Sequence, residues 1–130
     1  MPGSWEELFA FGPSALDSIV AVHLIHLRTG KFLALEFGLT IPYSSPKCRL
    51  WTPPAFGVSG PGAFETVATT HTNFFCCGHA QLADGRVLTA GGGFLSTNEA
   101  PRNADLFDPS LAVGQQWNNP ATPAESSKCP

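Results

Sequence analysis

Charge is scarce in this chain. Asp, Glu, Lys and Arg together make up 13% of its 130 residues, with a formal net charge of -3. The seven Lys and Arg are scattered, so no basic stripe marks a nucleic-acid or anionic-membrane surface. Tyrosine and methionine each occur once. The apolar run from Ile19 to Leu27 is too short for a bilayer span and is interrupted by His23 and His26. Glu6 and Glu7 stand where a secretory signal would carry basic residues, so no signal peptide is expected. The four cysteines (Cys48, Cys76, Cys77 and Cys129) form neither a CxxC pair nor a zinc-ligand rhythm. With no mark of export, reduced thiols and a cytoplasmic location are the default.

Familiar catalytic signatures are missing as well. There is no G-x-S-x-G and no pair of acids at a meaningful spacing. The stretch 57-GVSGPG-62 lacks the strand-to-helix setting of a phosphate loop, and its Pro61 suits a surface turn. Asp84 beside Gly85 and Asp108 beside Pro109 read as turn residues.

What is present points to β structure. Hydrophobic residues reach 43%, alongside 13 Gly and 12 Pro. That is too apolar for a disordered tail and too rich in turn formers for a helical bundle. The length allows one ordinary domain with a modest core. Internal similarity then appears. The segment 27-LRTGKFLAL-35 aligns with 82-LADGRVLTA-90 at an offset of 55, and 50-LWTP-53 with 106-LFDP-109 at 56. Phe64 answers Trp117. Three segments in one order at nearly constant spacing make a repeat.

Each unit is expected to form four short strands. In the second copy these are residues 77–82, 86–90, 104–107 and a short outermost strand around Trp117. Asp84-Gly85 would supply the positive backbone angles of a two-residue hairpin turn. Gly91, Gly92 and Gly93 follow the second strand, where residues without Cβ let crowded backbones approach. Four antiparallel strands recurring at this length describe a kelch-type β-propeller blade, whose period is roughly 50 residues. Residues 1–18 are then a lead-in, 19–70 a first blade, 71–120 a second, and 121–130 a polar, Pro-rich tail with Cys129. The expected fold class is all-β, about two four-stranded blades of an incomplete propeller, since propellers close with about 4–8. Such a chain is expected to be the N-terminal portion of a larger propeller, and its open blade edges would favour self-association.

The repeat gives the cysteines an address. Cys76 falls at the entrance to the innermost strand of the second blade, where loops gather around one mouth of a central channel. Packing alone would make Cys76 and Cys77 small buried hydrophobes. His23 and His26, three apart on a strand, point to opposite faces and cannot chelate one ion together. His71, in 69-TTHTN-73, is a loop residue near the same mouth. Cys77 and His79 could share a face, but two ligands on a strand make a poor copper or zinc site. A hydrogen-bonded structural role suits His79 better. Trp5, Trp51 and Trp117 read as packing aromatics.

The run 75-FCCG-78, followed by the hairpin and 87-VLTAGG-92, resembles the Phe-Cys-x-Gly…Gly-Gly segment of the galactose oxidase and glyoxal oxidase family. Residues Val22 and His23 through 30-GKFLAL-35, and the strand 105-DLFDP-109, fit the bacterial members too. The family consists of copper radical oxidases built on a seven-bladed kelch propeller, often secreted. The resemblance implies oxidation of a primary alcohol, aldehyde or carbohydrate by O2, giving H2O2, through copper and a Cys–Tyr radical cofactor. It implies that Cys76 is the thioether half of that cofactor and that Cys77 fills the variable position. Tyr43, the only tyrosine, does not match the family's partner. The family's tyrosine and histidine ligands belong to later blades, so this portion alone is expected to lack the copper ligands and to be inactive. The alternative is a non-catalytic kelch module that binds protein or carbohydrate, with Cys76 in its core.

Overall fold

The computed structural model describes residues 19–36, 48–68, 74, 76–92 and 104–121. These residues form eight strands: β1 (Ala21–His26), β2 (Phe32–Glu36), β3 (Cys48–Thr52), β4 (Ala63–Val67), β5 (Gly78–Gln81), β6 (Val87–Ala90), β7 (Ala104–Phe107) and β8 (Trp117–Ala121). Among the described residues there is no helix, hence none long and apolar enough to cross a membrane. The protein is all-β.

The strands make two four-stranded sheets, β1-β2-β3-β4 and β5-β6-β7-β8, each in chain order. Every pairing is antiparallel. The registers repeat from sheet to sheet. In the first, His26 pairs with Phe32, Phe32 with Trp51 and Trp51 with Phe64. In the second, Gln81 pairs with Val87, Val87 with Phe107 and Phe107 with Trp117. Phe64 and Trp117, matched in the sequence, therefore close the same cross-strand row. Such rows are the unit of sheet stabilisation. Ring centres lie 5.3 Å apart for Phe32 and Trp51 and 5.1 Å apart for Phe107 and Trp117.

The first hairpin of each sheet is also a copy. Leu27 N–H donates to the Lys31 carbonyl at 2.8 Å, and Gly30 N–H to the Leu27 carbonyl at 2.9 Å. Leu82 with Arg86, and Gly85 with Leu82, repeat both bonds at the same lengths. Gly30 and Gly85 carry φ of 79° and 88°. Asp84 does not join Gly85 at positive φ, which corrects the expected two-residue turn. The loop is the three-residue kind, a tight turn followed by one left-handed residue. Asp84 serves it differently: its carboxylate accepts the Arg86 N–H at 3.0 Å and Nε–H at 2.7 Å. Gly91 corrects a second expectation. A Cβ there would meet nothing within 4 Å, and its φ is 73°, so backbone conformation requires this glycine and crowding does not.

Strand alternation gives each sheet two faces. On the first sheet, Ile25, Leu33, Leu35, Cys48, Leu50 and Val67 share what is here called the leucine face, and all are buried. Leu24, His26, Phe32, Trp51 and Phe64 share the aromatic face. The second sheet presents its aromatic face, with Val87, Thr89, Asp105, Phe107 and Trp117 buried. One hydrophobic cluster joins the leucine face of the first sheet to Phe74, Cys77, Val87, Phe107 and Trp117. Neither sheet could bury these side chains alone, and each fully buried Leu, Ile or Phe contributes about 1.5–3 kcal/mol. The sheets thus stack unlike faces.

Candidate functional site

The second sheet is entered through a tight turn. Cys77 N–H donates to the Phe74 carbonyl at 3.0 Å, closing a four-residue turn whose third residue, Cys76, has φ 60°. Cys76 is the only non-glycine among the described residues with positive φ. Left-handed backbone costs an L-residue roughly 1–2 kcal/mol, and such strain persists only where the surroundings impose it. Here they do so from both sides. Phe74 is buried and stacks on Trp117, with ring centres 5.1 Å apart at 25°. Cys77 is 5% exposed and sits in the hydrophobic cluster with Cys48. With Phe74 and Cys77 anchored at the two ends of the turn, Cys76 is left exposed.

The adjacent cysteines therefore separate chemically. Cys76 is exposed, while Cys77 and Cys48 are buried. Burial pushes the Cys77 thiol up to about 11 and the Cys48 thiol higher still, keeping both protonated. Cys76 is not the small buried hydrophobe that packing alone would make it. An exposed thiol on a held turn can react with a partner brought to it. The buried pair cannot.

The structure also rearranges the histidines. His23 and His26 lie on opposite faces of β1. His23 instead meets His79 across the seam between the sheets, ring centres 5.2 Å apart and nearly perpendicular. Burial first, then the charge of His79, lowers the pKa of His23, against a hydrogen bond with the Phe74 backbone that raises it. Its buried Nε2 has no hydrogen-bond partner. His79 itself is exposed, so it does not join the buried Cys77 in a common pocket. Sequence reasoning missed the His23–His79 contact because it compared residues within one strand. The signal lay in the repeat: stacking the leucine face of one unit on the aromatic face of the next brings these two positions together.

The turn acids behave as turn residues. Besides Asp84, Asp108 accepts Ser110 N–H at 2.9 Å and Ser110 Oγ–H at 2.6 Å. Both carboxylates are held below their ordinary range by these bonds. His71, Tyr43, Phe75, Trp5 and Cys129 lie outside the described residues. Among the described residues no three His, Cys, Asp or Glu side chains converge in a way that could hold a metal ion. Comparison with family models, curated proteins and solved structures returns no match for this chain.

Proposed function

We propose that this chain is the N-terminal part of a kelch-type β-propeller of the galactose oxidase and glyoxal oxidase kind, with Cys76 as the thioether half of its Cys–Tyr cofactor. The observation that carries the reading is the presentation of Cys76. Its exposed thiol stands on a left-handed residue at the entrance to β5, while its neighbour is buried. Two four-stranded sheets of one register, stacked by unlike faces, support the blade architecture.

The cross-link joins Cys76 Sγ to a ring carbon of a tyrosine. The thiol hydrogen and one ring hydrogen leave as two protons and two electrons, which O2 accepts. The completed protein would oxidise a primary alcohol, aldehyde or carbohydrate and return H2O2. In that family the tyrosine and histidine copper ligands belong to later blades, so that set would come from further blades, and this chain by itself would be inactive.

Intact mass of the longer, copper-supplied protein tests the reading. It is expected to fall by the mass of two hydrogens, and Cys76→Ser should abolish the loss. An unchanged mass, with Cys76 freely alkylated, would point to the non-catalytic binding module.

A further inference from the structure

The two faces left open are complementary to each other. The built interface sets the leucine face of the first sheet against the aromatic face of the second. What stays open is the Leu24–Phe32–Trp51–Phe64 end of the first sheet's aromatic face, whose other end, at Ala34, Glu36 and Arg49, is buried, and the leucine face of the second sheet. On the former, Phe32, Trp51 and Phe64 are only half-buried and Leu24 is 47% exposed. On the latter, Ala80 and Ala90 are exposed, and Leu88, Ala104 and Leu106 are half-buried.

Side-chain volume follows the same logic. Where the second sheet has Ala80, Ala90 and Ala104, the first has Ile25, Leu35 and Cys48 on its leucine face. Where the first sheet has Phe32 and Trp51, the second has Val87 and Phe107 on its aromatic face. Phe64 against Trp117 and Ala34 against Thr89 run the other way. The built interface therefore joins a bulky leucine face to a slimmer aromatic one. The open pair offers a slim leucine face to a bulkier aromatic one. Close packing rewards a conserved total volume across a contact.

We propose that the open leucine face of the second sheet binds the open end of the first sheet's aromatic face between two copies of this chain, head to tail, repeating there the pairing of unlike faces built within each copy. The inference rests on the stacked-sheet architecture and not on the oxidase chemistry. A contact of this kind is heterologous, so it continues from copy to copy until rotation closes a ring. Rings of about 4–8 sheets correspond to roughly two to four copies at two sheets each. In a longer protein, further repeats of the same chain would take those positions.

The test is complementation between two single variants of the full 130-residue chain. Leu24→Lys charges the open aromatic face, and Ala80→Lys charges the open leucine face. Both positions are exposed in one copy, so each variant should fold, as far-UV circular dichroism and a cooperative melt would confirm. Light scattering across a concentration series is expected to show the unaltered chain associating and each variant alone as a monomer. An equimolar mixture of the two variants should recover a dimer, because each supplies the face that the other lacks. A monomeric unaltered chain, unimpaired single variants, or a mixture that stays monomeric would each overturn the proposal. Cross-link formation at Cys76 is read separately by mass in the longer protein, so failure of the oxidase reading leaves this test standing.

Discussion

The side-chain amide of Gln81 donates to the main-chain carbonyl of His26, joining the end of β5 to the end of β1 across the two sheets. The two residues are 55 apart and hold the same place in successive units. A polar clasp thus marks the rim of a contact with a hydrophobic cluster at its centre. Removing it with Gln81→Leu should cost about 0.5–1.5 kcal/mol, toward the lower end because both residues are exposed and water can replace the bond. Urea titration would show this as a lower midpoint at unchanged slope.

The hairpin glycines offer a paired measurement. Gly30→Ala meets open space but must adopt φ 79°, and Gly85→Ala must adopt φ 88° while its new methyl runs into the Arg28 side chain. The left-handed cost, roughly 1–2 kcal/mol, should appear at both positions, with an additional loss at Gly85. Repeating both substitutions in an Arg28→Ala background should bring the two losses together. A gap that survived would place the extra cost somewhere other than Arg28.

Thiol mapping should separate the cysteines. A maleimide at neutral pH is expected to label Cys76 in the folded chain and to leave Cys48 and Cys77 unlabelled until denaturant is added, as read by peptide mass spectrometry. Burial excludes the reagent, and the raised pKa of Cys77, about 11, keeps thiolate scarce. Comparable native rates at Cys76 and Cys77 would show that the turn does not hold them apart.

The seam should be sensitive to acid. The folded pKa of His23 lies below its ordinary value of about 6.5, so in the window between the two the unfolded chain binds more protons. Its contribution to stability is therefore full above about 6.5 and lost as pH falls toward the folded value. Urea midpoints measured through this window should decline with pH, and His79→Gln should flatten the decline by removing the second charge. An equal slope in that variant would leave burial of His23 as the sole cause.

Much of the fold was legible in the repeat. The match of 27-LRTGK-31 to 82-LADGR-86 returns as two hairpins with the same hydrogen bonds, because one glycine and one pair of backbone contacts are enough to specify that loop. The third strand of the second unit, Ala104–Phe107, falls on the residues read from sequence. Which face of each sheet turns inward was not legible. Leu33 and Leu35 alternate with Phe32 and Ala34, so both faces are apolar and a period of two cannot rank them. The conformation of Cys76 was hidden for a related reason. It follows from Phe74 settling on Trp117, a contact between residues 43 positions apart. Within the site, sequence marked Cys76 as the residue to watch, and packing separates it from Cys77.

Because every strand described pairs only with its neighbours along the chain, the pairings that define each sheet join successive segments, and the contacts between units come later, when one sheet meets the other. Topologies of this sort lose little entropy before contacts reward them, and they nucleate locally. Synthesis from the N-terminus gives that locality a direction. The first sheet has all four strands by Val67, before any residue of β5 has been made. It can therefore stand ready as the surface on which the second sheet condenses, each unit acting as template for the next.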